Sequence, residues 1–191
     1  MIAEIANLFA TNKEASALLV AIAGGGFALR RWTIDQRWRR VQYAYQLIKE
    51  FMAKESTRKA FMMLDTTNNI ELFPEKEKPE DRFCRVDERL MINALKTFDE
   101  QKAFSEPEFA IRMIFDDFFT DLSMFQHHID AKLIRLNDVR PYLEYWIKSI
   151  NGHGNVKGIQ LAQQINKFLD SFEYTAIKKL SRSMNSSLKV S

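Results

Sequence analysis

The 191-residue chain is poor in the residues that interrupt or staple a fold: one cysteine, four prolines and six glycines. Cys84 alone excludes an internal disulfide and any all-protein cysteine metal centre, and it suits a reducing compartment. Few glycines and prolines leave few turns, so long helices are expected. No stretch alternates apolar and polar residues long enough to propose a strand. There is no internal repeat or low-complexity tract. Glu-x-x-His pairs, nucleophile-elbow serines and phosphate-loop signatures are all missing. With a net charge of only +3, the whole molecule is not a general polyanion binder.

The apolar content is ample. Hydrophobic residues make up 46% of the chain, with fifteen Phe, and charged residues make up 28%. That is the composition of a globular domain with a sizeable core. Charge is uneven along the chain. Residues 30–40 hold five arginines against one aspartate, whereas 65–81 carry Asp65, Glu71, Glu75, Glu77, Glu80 and Asp81.

The stretch ASALLVAIAGGGFALRRWTIDQRWRR decides most about function. Its first fifteen residues carry no charge, which is short of the roughly 20 apolar residues of a spanning helix. Arg30 and Arg31 can snorkel, and Trp32 and Trp38 suit a membrane interface, so Glu14 to Trp32 comes near the required length. Leu18, Leu19, Val20, Ile22, Phe27 and Leu29 supply an insertion free energy of about −2 to −4 kcal/mol, against which Gly24, Gly25 and Gly26 work. A membrane anchor over 1–29 is the expectation. The arginine excess after it directs the remaining chain to the cytoplasmic side of the membrane, as a single-pass protein. Ile2, Ile5, Leu8 and Phe9 share a helical face and suit the outer interface. Ala17, Ala21 and Gly25, spaced by four, form a strip of small residues on which a second membrane helix can pack.

Three other readings compete. A cleaved signal peptide has Ala21-Ile22-Ala23 in its favour and an acidic start against it. A buried core helix ended by the glycines is the soluble alternative. The glycines lack the Lys and Ser/Thr of a phosphate loop. Arg30, Arg31, Arg37, Arg39 and Arg40 with Trp32 and Trp38 also have the composition of a nucleic-acid surface. Anionic lipid headgroups account for the same residues, and the membrane reading explains both halves of the stretch.

Beyond the collar the pattern is helical throughout. Trp38, Val41, Tyr45, Ile48 and Met52 predict an amphipathic helix over about 32–54. Ser56 is a candidate cap for a short helix carrying Ala60, Phe61 and Leu64. TTNNIELFPEKEKPE predicts a loop, and Pro79 opens a helix with a stripe of Phe83, Val86, Leu90, Ala94, Leu95 and Phe98. Ser105-Glu106-Pro107-Glu108 is a capping box. It opens the richest helix, with Ile111, Ile114, Phe115, Phe118, Leu122, Phe125, Ile129 and Leu133. Asp138 is the candidate cap of a helix carrying Tyr142, Trp146 and Ile150 and stopping at Asn151-Gly152. One last helix carries Leu161, Ile165, Phe168, Leu169, Phe172 and Ala176, and a flexible tail is expected over 181–191. The fold class is all-α: an irregular bundle of five to six helices over 30–180.

WRRVQYAYQLIKEFMAKESTRKAFMML followed by IFDDFFTDLSMFQHHIDAKLIRLNDVRPYLEYWI resembles bacterial families of unknown function that carry a short N-terminal membrane helix. The resemblance covers about residues 15–150 and rests on packing patterns. It implies an anchored cytoplasmic helical domain and transfers no active site.

For chemistry, FDDFFTDLSMFQHH is the richest stretch. At about 100° per residue, Asp121 and His128 fall about 40° and 20° from Asp117, on one stripe. Asp117 and His128 are about 16 Å apart along the helix, too far for one ion. Asp117 with Asp121 is the only pair a metal site would start from, with Glu88, Asp99 or Glu144 as donors from elsewhere. A solvated or ion-paired flank explains the same residues. His127 faces away from the core, His153 lies in a glycine loop, and Cys84 has no partner for catalysis. The expectation is therefore a non-enzymatic membrane-anchored interaction module without a cofactor. Its partners are membrane lipids and a protein or a second copy. Soluble nucleic-acid binding through residues 30–40 is the alternative.

Overall fold

The computed structural model describes residues 13–65, 68–152 and 158–186. Ile2, Ile5, Leu8, Phe9, His153 and residues 187–191 lie outside them. The chain divides into two units, Met1–Gln42 and Tyr43–Ser191. The described residues form eight helices and one two-stranded sheet, so the all-α expectation holds in its coarse form.

The helix α1 spans Lys13–Ala53. It fuses the expected apolar segment and the expected 32–54 helix, because no proline interrupts it and Gly24–Gly26 do not break it. Within the first unit, every described side chain from Leu19 to Arg39 is exposed. Phe27 and Leu29 are each 69% exposed. The segment is therefore not a buried core helix. Nor is any helix of the described residues long and apolar enough to cross a membrane. The reason is length: fifteen uncharged residues rise about 22 Å, against a hydrocarbon core of about 30 Å.

The second unit begins with the last turns of α1. Of the stripe expected there, Ile48 is buried and Met52 packs on the core, while Trp38, Val41 and Tyr45 are exposed. Ala44 and Phe51 complete the buried face instead. The helix α2 (Glu55–Asp65) buries Ala60, Met63 and Leu64.

The expected loop and following helix are corrected most. Asn68–Glu71 (β1) and Phe83–Val86 (β2) pair antiparallel, with Ile70 opposite Cys84. Four residues are too few to show alternation, and the signal reduces to buried Ile70 and Val86. Pro79 does open a helix, α3 (Pro79–Arg82), but only one turn of it. The stripe assigned to one helix is divided: Phe83 and Val86 belong to β2, and Leu90 and Ala94 to α4 (Glu88–Ala94). Asp87 caps α4 by accepting the Leu90 N–H at 2.8 Å.

The helix α5 (Glu106–Asp130) is the axis of the bundle. Its capping box forms: the Glu108 carboxylate accepts the Ser105 backbone N–H at 2.8 Å and the Ser105 hydroxyl at 2.9 Å. It packs against α2, α4 and α8. On one side Phe118 meets Phe51 at 5.8 Å and Phe61 at 5.6 Å between ring centroids. On the other Phe119 meets Phe168 at 5.9 Å and Tyr174 at 5.8 Å.

The helix α6 (Leu136–Ile150) starts two residues earlier than its expected cap. Arg135 is the cap, and Asp138 accepts its backbone N–H at 2.9 Å. Trp146 lies parallel on Phe61, with centroids 3.6 Å apart. The helix ends where expected, with Gly152 at φ +75°. The last expected helix is two, α7 (Ile159–Ser171) and α8 (Thr175–Ser186), turned at Phe172–Tyr174 with Glu173 at φ +54°. A non-glycine turn of this kind carries no sequence signal. The expected tail from 181 is helical through Ser186, with Leu180, Ser181 and Met184 buried. The period there is carried by Ile177, Leu180 and Met184 among polar residues, and of these only Met184 lies past residue 181.

Truncating Phe118, fully buried, is expected to cost about 3–5 kcal/mol in chemical denaturation. Phe27→Ala, on the exposed segment, is expected to stay within about 0.5 kcal/mol of the parent.

Candidate functional site

Two places hold the residues that the sequence singles out. The first is the middle of α1. Arg30, Arg31, Arg37 and Arg39 are exposed, as are Trp32 and Trp38, and Arg40 is half-buried. Helical continuity sets where they point. With Arg30 at zero, Arg31, Arg37, Arg39 and Arg40 fall at about 100°, 340°, 180° and 280°. The guanidinium groups therefore surround the helix and do not form one face. Ala17, Ala21 and Gly25 lie in an exposed strip of the same helix. A β-carbon at Gly24, Gly25 or Gly26 would meet nothing within 4 Å.

The second place is a groove between the end of α1 and α5, wholly within the second unit. Leu47, Phe51, Met124 and Phe125 line it, with Glu50, Lys54, Thr120, Asp121 and His128, around a cavity of about 370 Å³. The expected stripe on α5 is separated by its partners. Asp121 takes an ion pair from Lys54 at 2.6 Å. His128 Nδ1 lies 3.4 Å from the Tyr43 hydroxyl, the two rings edge to face at 5.5 Å. Asp117 is exposed. No third ligand completes Asp117 and Asp121: among the described residues, no group of three or more His, Cys, Asp and Glu side chains could hold a metal ion. Glu144, a possible donor, is instead bound by Lys148 at 2.8 Å and Arg140 at 3.6 Å. His127 is exposed. The Cys84 thiol, half-buried on β2, is pushed up from its ordinary pKa by burial and by Asp87, so it is a poorer nucleophile than a free cysteine.

Sequence reasoning passed over two side chains that organise this unit. Arg112 is 5% exposed. It donates to the backbone oxygens of Ala94 at 3.1 Å and Lys96 at 2.7 Å. Its guanidinium carbon lies between 4.6 and 5.1 Å from the centroids of Phe98, Phe104, Phe168 and Phe172. The cation thereby ties the end of α4 and the 95–104 loop to α7. A signal existed: Arg112 stands three and seven residues before Phe115 and Phe119, on the apolar stripe itself. The other is Tyr174, whose hydroxyl donates to the Asp116 carboxylate at 2.6 Å.

Comparison with protein-family models, curated proteins and solved structures finds no match. The geometry alone carries the functional argument.

Burial, and after it the bond to Asp116, pushes the Tyr174 pKa up to about 12, above the ordinary value near 10. A group raised on folding stabilises the protein fully below its unfolded pKa. That contribution is lost as pH rises through the folded one, here between about 10 and 12. Tyr174→Phe is expected to lower stability at neutral pH by about 1–2 kcal/mol and to flatten the loss over that alkaline window. Denaturation at stepped pH checks both.

Proposed function

We propose that this chain is a membrane-anchored interaction module, without a catalytic centre, held to the bilayer by the first half of α1. The observation that carries this is a continuous helix whose apolar residues from Leu19 to Leu29 are all exposed and which then leads into five arginines placed around its whole circumference. Leu19, Val20, Ile22, Phe27 and Leu29 are each 62–73% exposed. So much bare apolar surface needs a cover that is itself apolar. Arginines on all sides of a helix over about 15 Å fit one that leaves the hydrocarbon through a headgroup layer and continues along its outer edge, where anions are met from every side. A duplex or single strand lies against one side of a helix and would favour a one-faced array.

The short charge-free run fits if Arg30 and Arg31 snorkel. Ala15 to Trp32 then rises about 27 Å, and local thinning accommodates the rest. The positive-inside tendency places the second unit on the cytoplasmic side. The strip of Ala17, Ala21 and Gly25 is the face for a second membrane helix, from a copy or a partner.

Membranes washed with carbonate are expected to retain the full-length chain, and a chain starting at Thr33 is expected to be released while unfolding cooperatively. Retention that survives removal of residues 1–32, or release of the full-length chain, would refute the anchor. Binding of the full-length chain to duplex or single-stranded nucleic acid, lost steeply with salt and abolished by replacing Arg37, Arg39 and Arg40 with Ala, would favour the nucleic-acid reading.

A further inference from the structure

A second cavity lies far along the chain from the arginine collar, where the end of α6 meets α7 and α8. It measures about 210 Å³ and is lined by Asn151, Asn166, Lys178, Ser181 and Arg182 over a floor that includes Leu169. Hydrogen-bond donors with a proton to spare reach it from two helices, α7 and α8, while Asn151 at the end of α6 spends both amide protons on the Ile147 oxygen and Ser181. Arg182 is exposed, with its planar fork of five N–H groups on the rim. Lys178 gives one proton to Asp170 and keeps two. Asn166 gives one amide proton to the Ala162 oxygen at 2.9 Å and keeps the other. Ser181 is 8% exposed, and its hydroxyl oxygen accepts from Asn151 Nδ2 at 2.9 Å, which leaves that hydroxyl its own proton to give.

Two acceptors beside the cavity are already engaged. The Ile147 oxygen, at the carbonyl-rich end of α6, receives both Asn151 Nδ2 at 2.6 Å and the Asn151 backbone N–H at 3.2 Å. Asp170 is paired with Lys178.

We propose that this cavity is an oxyanion site, built for a phosphate group. A planar carboxylate has its acceptors in one plane, whereas a tetrahedral group offers them in several directions to the donors of Asn166 on α7 and of Lys178, Ser181 and Arg182 on α8. The bidentate guanidinium of Arg182 holds two of the oxygens, and the lysine, serine and asparagine protons reach the others. The cavity exceeds one phosphate, and its Leu169 floor takes a small apolar portion of the ester beyond it. The phosphate belongs either to a soluble phosphomonoester or to a lipid headgroup, and the same donors recognise both.

The site is read by amide NMR on the full-length chain in neutral micelles, following the side-chain amide of Asn166. Inorganic phosphate is titrated against sodium chloride of matched ionic strength. The expected result is a saturable shift with phosphate, weakened at least tenfold in Arg182→Glu and partly kept in Arg182→Lys. Both substitutions fall on an exposed side chain, and an unchanged thermal midpoint confirms the fold. A parallel arm replaces phosphate with bicelles containing phosphatidic acid, compared with phosphatidylcholine alone. An Arg182-dependent shift at Asn166 in either arm supports the site: the phosphate arm assigns a soluble ester and the bicelle arm a headgroup. Shifts that grow linearly as with chloride, persist in Arg182→Glu, or are missing from both arms overturn it.

Discussion

The second unit depends on one constraint: α5 must bury aromatic rings on both of its flanks at once. Phe115, Phe118, Phe119 and Phe125 are essentially without solvent contact. Phe118 and Phe125 face Phe51 of α1, and Phe119 faces Phe168 of α7. A helix apolar around so much of its surface cannot lie on the outside of a domain. The helices α2, α4 and α8 pack directly on it, and the β1–β2 hairpin is attached through α2. This explains why the polar features beside it, Lys54 with Asp121 and Tyr174 with Asp116, sit at the edges of the aromatic core. Each pair fastens a covering helix to the axis where the rings end.

Arg112 is the exception that the same constraint produces. A guanidinium on the buried side of α5 would be costly without compensation. Two carbonyl oxygens, both bound by Nη1, and four phenylalanine faces supply part of it, while the buried Nη2 has no hydrogen-bond partner among the described residues. The outcome is a cation used as a joint. It satisfies the free carbonyls at the end of α4 and holds the loop carrying Phe98 and Phe104 against α7. Burial lowers the affinity of the guanidinium for its proton, and Asp116 opposes that shift.

What could be read from the residues follows from how each element is specified. Long elements with repeated apolar spacing were legible: α5, its capping box, α6 and the stop at Gly152. The short hairpin was not, because four-residue strands are defined by their partner and not by their own pattern. The division of α7 from α8 was hidden for a related reason. Leu169, Phe172 and Ala176 keep a helical spacing straight across a turn whose φ +54° residue is a glutamate. At the site, residue types were legible and pairings were not. Asp117, Asp121 and His128 do share a stripe, but Lys54 and Tyr43, more than 60 positions away in the chain, decide what Asp121 and His128 can do.

The first unit answers to a different balance. In the second unit apolar area is covered by the chain itself, and hydrophobic burial at about 25 cal/mol per Å² is already realised. From Leu19 to Leu29 it is not, and the helix there is continuous over many turns with no packing to hold it. Isolated helices of this composition are marginal in water. They become strongly favoured in hydrocarbon, where every backbone N–H and C=O must be satisfied within the segment. Under the proposed anchor, the persistence of the helix through Gly24–Gly26 and the exposure of the apolar residues from Leu19 to Leu29 share one physical explanation: a low-dielectric surrounding for the first part of α1. Under the same proposal, Arg30 and Arg31 stand at the edge of that surrounding, and Arg37, Arg39 and Arg40 lie about 10–15 Å further along the axis.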